Sequence, residues 1–506
     1  MASITLPVEC LTIIFEQLSY EKLGVKNYSF TLLHSCILVN KIWCATAIPI
    51  LWRNPWNWLI EGLYLNRLTL LTATFISCLP KEIKNILTRN QIIKMKKWMK
   101  NVTSFDYPYF MNGLDYSWLY FSINIFLKEN FKKGKEFIRN EYSIILLKEI
   151  CKLFMKRSYN LIQLNYDNQY QKRYDYYKIR VEDYINLIHL PGANQTLIKL
   201  KRISITGWIP SEIIYGISKI CKNIEEIKIN NFQIEDDEEG IITLIKEQKS
   251  LKRFSFEIKL NDELEDKFGL IEFSISRFEK VIKSKLQKLV TLKLSPICFY
   301  MDNFMECYNL EELILIDERQ QFNEKILEKF SKNSKLFKLK KLEININYIT
   351  FKQISSIIKN TNYNLEIITI IWMEGIDEIE DYKNFIETII FYCPKLKEYN
   401  GKFDYNYISL LCKNCNNLTK LGFNDFNILD ISDILKQIGD VIPVNLSKLS
   451  LPLCWNFNSD SLEYFLEKCL IRLHEPLYFN IYESEKHAKI IKRFRELKVL
   501  ARRDYY

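Results

Sequence analysis

The 506-residue chain is poor in the residues that break chains and in those that catalyse. Glycine and proline number only 13 and 12, which excludes collagen-like structure and long flexible linkers. Histidine occurs four times, as His34, His189, His474 and His487, and none stands in a local motif beside a serine or cysteine nucleophile. No G-x-G-x-x-G or Walker-type stretch supplies a phosphate-cradling loop. Cys412-Lys-Asn-Cys415 is the one close C-x-x-C, and zinc would need a second pair or suitably spaced histidines. No catalytic residue, metal or cofactor is therefore expected. The most apolar long run, LYLNRLTLLTATFISCLP at 63–80, carries Arg67 and is too short and polar for a membrane span. It reads as a buried helix. The opening MASITLPVE lacks the basic and long apolar regions of a secretory signal, so the 13 cysteines read as reduced thiols of a cytoplasmic or nuclear protein.

What remains is an ordinary folding composition, 48% apolar and 26% charged. The length exceeds one compact core, so several domains or a repeat array are expected. The 71 Lys and Arg against 61 Asp and Glu leave a net charge of +10, which permits acidic partners without arguing for nucleic acid. One stretch, YQKRYDYYKIR at 170–180, interleaves basic and aromatic residues as nucleic-acid surfaces do. Its own acid and the following VEDYINL dilute the field, so a solvated loop is expected and a nucleic-acid partner is not.

A repeated phrase organises most of the chain. L-x-x-L-x-L, with any large apolar residue allowed, recurs from Leu161, Leu200, Ile224, Leu251, Leu289, Leu310, Leu339, Leu365, Leu418 and Leu446. Degenerate copies begin at Leu396, where Gly401 replaces the last apolar residue, and at Pro476. From Leu200 to Leu446 the step averages roughly 27 residues, with helical stretches between copies. Each unit reads as a short strand plus a helix that cannot bury its apolar side alone, so stacking closes a continuous core. Cys221, Cys307, Cys393 and Cys415 stand three residues before the first apolar position of their copies and read as core. In such strands the residues between the apolar ones line the open sheet face. Most copies put polar residues there, such as Arg202 and Ser204 or Lys341 and Glu343, but two would present Ile314 and Ile316, and Ile367 and Ile371. These four isoleucines are the candidate target-binding patch. The expected division is 1–56, a helical module; 57–150, a helical basic connection; 151–483, the repeats; and 484–506, a capping helix burying Ile490, Phe494 and Leu497.

The front of the chain is different. Val8, Leu11, Phe15 and Leu18 share one helical face, Pro7 suits the first helical position and Glu9 suits the dipole. Two packed helices follow within 31–56, the later one bent or ended near Pro49. Trp43, Trp52, Trp56 and Trp58 cluster there. The order Leu6-Pro7-x-Glu9, then Ile14-Phe15 and Leu18, then Ser35-Cys36-x-Leu38-Val39-Asn40-x-x-Trp43, then Leu51-Trp52-Arg53 resembles an F-box. The cysteine-containing repeats resemble the leucine-rich repeats often fused to F-boxes, especially in fungal proteins. They depart from that pattern in mostly lacking the Asn or Cys that follows the strand. The resemblance implies an α/β chain, a three-helix F-box followed by an irregular leucine-rich-repeat solenoid. It implies a non-catalytic substrate receptor of an SCF-type ubiquitin ligase. Its partners would be an SKP-family adaptor, through it a cullin–RING ligase, and a protein target not named by the sequence. By that resemblance Leu6, Pro7 and Glu9 meet the adaptor, with Ile14, Leu18, Leu38, Val39 and Trp43 in the module or its interface. The alternatives are a repeat scaffold without a ligase role and a weakly nucleic-acid-binding solenoid.

Overall fold

A short strand with alternating large aliphatics buries one face and must find a neighbour of the same kind on each side. In a computed structural model of the chain, every copy of the repeated phrase lies on a strand paired in parallel with another. The structure describes residues 6–19, 26–58, 65–89, 103–130, 136–167, 179–232, 238–258, 268–295, 304–305, 307–317, 324–346, 348–371, 379–402, 405–424, 430–452, 454–480 and 485–501. The chain divides into two units, residues 1–251 and 252–505, with Tyr506 grouped with the first. In each, parallel strands alternate with helices as in an α/β repeat solenoid.

The first unit holds strands β1 (Gly113–Asp115), β2 (Gln163–Asn165), β3 (Arg202–Thr206) and β4 (Glu226–Phe232). They pair in parallel in chain order, with Leu114 beside Leu164, Ile203 and Ile227. The second unit continues with β5 (Arg253–Ile258), β6 (Thr291–Ser295), β7 (Glu312–Asp317), β8 (Lys341–Ile346), β9 (Ile367–Ile370), β10 (Glu398–Gly401), β11 (Lys420–Phe423), β12 (Lys448–Ser450) and β13 (Tyr478–Asn480). Its core row runs unbroken from Phe254 through Leu292, Leu313, Leu342, Ile368, Tyr399, Leu421 and Leu449 to Phe479. All of these are buried, each adding about 1.5–3 kcal/mol of hydrophobic stabilisation.

Parallel neighbours require crossovers, and helices supply them. Helix Phe351–Lys359 shows the local logic. Thr350 and Gln353 form a reciprocal capping box at its start, and Ile354, Ile357 and Ile358 face the core. The long step between Leu251 and Leu289 accommodates a 16-residue helix, Phe268–Lys283. Gly401 also has a reason: a Cβ there would lie 2.8 Å from the hydroxyl oxygen of the buried Tyr399. The apolar run at 63–80 is the helix Leu65–Cys78, with Leu68, Leu71, Phe75 and Ile76 buried.

The structure corrects the sequence reading in two places. The sheet begins at β1, inside the stretch read as a purely helical connection. The three residues of β1 carry a single leucine, too little to signal a strand. At the C-terminus, helix Glu485–Glu496 buries His487, Ile491 and Phe494, while Leu497 is exposed and Ile490 only half-buried. The periodicity was right and the face was turned by one residue, because the partner decides which stripe is covered. After that helix, residues 499–501 return beside β13, where Leu477 donates to Val499 and Ala501 donates to Leu477. They cover backbone at the start of the last strand.

Candidate protein-interaction surfaces

The N-terminal module is built from α1 (Val8–Ser19), α2 (Lys26–Ile37) and α3 (Lys41–Trp52). Asn40 caps α3, its side chain accepting from the Trp43 amide at 2.9 Å. Leu11, Phe15, Leu33, Cys36, Ala47, Ile50 and Leu51 form the core, with Leu18, Ile37, Trp43 and Trp52 packed against it. Phe15 meets Trp43 edge to face at 5.2 Å. Arg53 fastens the module twice. Its guanidinium pairs with Glu16 of α1 at 2.7 Å, and its carbonyl accepts the amides of Asn112 and Gly113 at 2.7 and 3.1 Å. The module is thereby tied to the start of β1.

The residues assigned to this module separate into two groups. Leu18 and Trp43 pack inward. Leu6, Pro7, Glu9, Ile14, Leu38 and Val39 are exposed, with Leu38 at 75%. Leu38 and Val39 occupy the turn between α2 and α3, where their amides donate to Ser35 and Cys36. Val8, expected on the buried face, is half exposed instead. Ile13, Leu32 and Ile42 join the exposed set without having been singled out for it. The Ile13-Ile14 pair does widen the apolar stripe of α1 in the sequence, but Leu32 and Ile42 carry no such signal. A cleft of about 540 Å³ lies beside the module, lined by Thr31, His34, Leu51, Trp52, Arg67 and Leu70 among others.

On the sheet of the second unit, Ile314, Ile316, Ile367 and Ile371 are half-buried and alternate with fully buried neighbours. They fall into two pairs flanking β8, since Ile314 lies beside Glu343 and Ile367 beside Lys341. Lys341 Nζ is 2.7 Å from Glu312 and 3.3 Å from Glu343. A polar, ion-paired strand therefore separates the aliphatic positions.

The turns entering the strands carry an ordered feature that the sequence reading missed. Asn309, Asn364, Asn417 and Asn445 each stand one residue before the first leucine of a repeat. Their amides donate to Gln287, Phe337, Pro394 and Asn416 of the preceding repeat, at 2.7–3.3 Å. Where lysine takes this place, Lys338 reaches Asn309 and Lys395 reaches Asn364, both at 2.7 Å. The asparagines absent after the strand are thus present before it. They tie each turn to a carbonyl of the repeat before it.

The cysteines of the repeats are core residues. Burial pushes the Cys221, Cys307 and Cys412 thiols up to about 12 and Cys415 to about 11. Such thiols are poor nucleophiles and metal ligands. Among the described residues, no three His, Cys, Asp or Glu side chains gather as metal ligands. No helix among the described residues is long and apolar enough to cross a membrane. Most of the basic aromatic stretch 170–180 lies outside the described residues. Of its last two residues, Ile179 is buried and Arg180 pairs with Asp183 and Glu182.

No protein-family model matches the chain, and none of the curated proteins does. Solved structures to which the chain is similar include the following two. The Rad7 and Elc1 complex in yeast matches with a TM-score of 0.39 and 12% identity, over 70% of this chain and 87% of that one. An internalin from Listeria monocytogenes matches at 0.30 and 14% identity, over 62% and 83%. Likenesses this weak identify neither a family nor a partner.

Proposed function

We propose that the chain is the substrate-recognition subunit of an SCF-type ubiquitin ligase and performs no chemistry itself. In this reading α1–α3 dock on an SKP-family adaptor and, through it, on a cullin–RING ligase. The repeats hold a protein target, raising its effective concentration near the ubiquitin-charged enzyme. One observation carries the reading. Of 24 large apolar side chains exposed among the described residues, eight lie between Leu6 and Ile42. A module that served only to cap the sheet would have little reason to hold a third of them in the open.

The experiment is capture of a purified SKP-family adaptor by the full chain and by a Leu38→Asp, Val39→Asp variant. Both side chains are well exposed, at 75% and 56%, so the melting temperature should hold. Central interface residues commonly cost about 2 kcal/mol or more when truncated, so adaptor capture should be lost. Undiminished capture would remove these residues from the interface, and failure of the parent chain to bind any adaptor would end the ligase reading. A second reading, a repeat scaffold whose helices only cap the sheet, draws on the anchoring of β1 by the Arg53 carbonyl. The same pull-down separates the two.

A further inference from the structure

In the second unit, exposed aromatic rings stand in the turns leading into β8 and β9 and in the last turn of helix Ile379–Tyr392, before β10. These are Phe337, Tyr363 and Phe391, at 47%, 42% and 66% exposure. The rings form small stacks along the edge. Phe337 lies 6.4 Å from Tyr308, in the turn before β7, and Tyr363 lies 5.4 Å from Tyr392 with the planes 11° apart. Phe391 packs edge-on against Tyr392 at 4.9 Å. The backbone of Asn362 and Tyr363 is left-handed, with φ of 51° and 60°. That conformation is disfavoured for a bulky residue, and its retention at a surface turn commonly marks a functional position.

Charge accompanies the rings. Residues 332–340, 359–366 and 391–397 contain seven lysines and a single acid, Glu366. Lys332, Lys340 and Lys397 are neutralised by Glu328, Glu311 and Glu366. Lys338 and Lys395 are held by asparagine oxygens, which leave their charge in place. Lys335 sits 5.7 Å from the centre of the Tyr308 ring. An apolar row set among uncompensated cations suits a partner that is apolar and anionic at close intervals.

We propose that this edge docks an acidic peptide segment bearing aromatic or aliphatic side chains. Single-stranded nucleic acid fits less well. Tyr363 already has one face covered by Tyr392, whereas base stacking needs open faces. The three turns also contain lysine but no arginine, so the forked donors that grip phosphate are missing. The inference does not depend on the ligase reading and would hold for a scaffold equally.

The test measures fluorescence anisotropy of three labelled probes with the full chain at physiological salt: a random Glu–Tyr copolymer, polyglutamate and an oligouridylate. The copolymer should bind most tightly. Phe337→Ser with Phe391→Ser should weaken it by about tenfold or more at unchanged melting temperature. Lys335→Glu with Lys338→Glu should weaken it too and flatten its salt dependence, which keeps the test intact if the serine pair unfolds. Ile471→Asp, on the exposed face of helix Ser459–Arg472, should leave copolymer binding unaltered. Copolymer binding indifferent to both edge pairs would overturn the proposal. So would an oligouridylate that binds more tightly than the copolymer and is released by the same substitutions.

Discussion

Raising the pH from about 4 to about 7 should weaken the first unit, and Asp115 should be the reason. This carboxylate ends β1 and is 8% exposed. It accepts the Trp118 amide at 2.9 Å and the Asn165 side-chain amide at 2.6 Å. Burial nevertheless dominates, lifting its pKa from 3.8 to about 7 against those two hydrogen bonds, with the Asp167 charge adding to the rise. Below pH 3.8 both folded and unfolded chains carry the proton, and the stability is fully present. Between 3.8 and about 7 the unfolded chain gives the proton up while the folded chain keeps it. Stability then falls by about 1.4 kcal/mol per pH unit, reaching a loss of about 4 kcal/mol at neutral pH. Asp115→Asn keeps the shape and can still accept from Trp118, since asparagine is an equally good cap. Asn165 must turn its amide to match, losing the bond its oxygen accepts from the Asp167 amide, a cost that does not vary with pH. The variant does not titrate there. Urea unfolding followed by tryptophan fluorescence reports mainly on this unit, which holds seven of the nine tryptophans. The stability difference between variant and parent should grow by about 4 kcal/mol from pH 4 to pH 7, while other titrations cancel in the comparison. A difference equal at both ends of the range would refute the argument that buried charge at Asp115 opposes folding.

Two further outcomes are expected. Ile314→Asp with Ile367→Asp should leave the melting temperature unchanged and abolish recovery of protein targets by affinity purification. A collapsed melting temperature would instead show that the strands need these side chains. In native alkylation followed by peptide mapping, the exposed Cys10 should label first. The buried Cys221, Cys307, Cys412 and Cys415, with raised pKa values, should label only on unfolding. Labelling of Cys412 or Cys415 at the rate of Cys10 would contradict their place in the core.

The strands were legible because a period-two apolar pattern admits few other structures, and repetition tells strand from accident. Each phrase, even the degenerate ones at Leu396 and Pro476, lies on a strand of the sheet. The inner part of the N-terminal module was legible for a similar reason, with Leu11, Phe15 and Leu18 recurring at helical spacing. Its outer part was not. Val8 and Leu18 are both apolar residues on one helical stripe, yet only Leu18 has α3 and its neighbours to pack against. The same holds at the other end, where Ile490 and Ile491 are chemically identical and the covering surface selects Ile491. The asparagines before four of the repeats stood in the sequence, but their role needs a carbonyl of the preceding repeat within about 3 Å. The three residues of β1 become a strand only because Leu114 falls beside Leu164. Sequence alone fixed which side chains can be buried. Tertiary structure decided which of them are, because burial requires a second surface and the chain's own pattern names only the first.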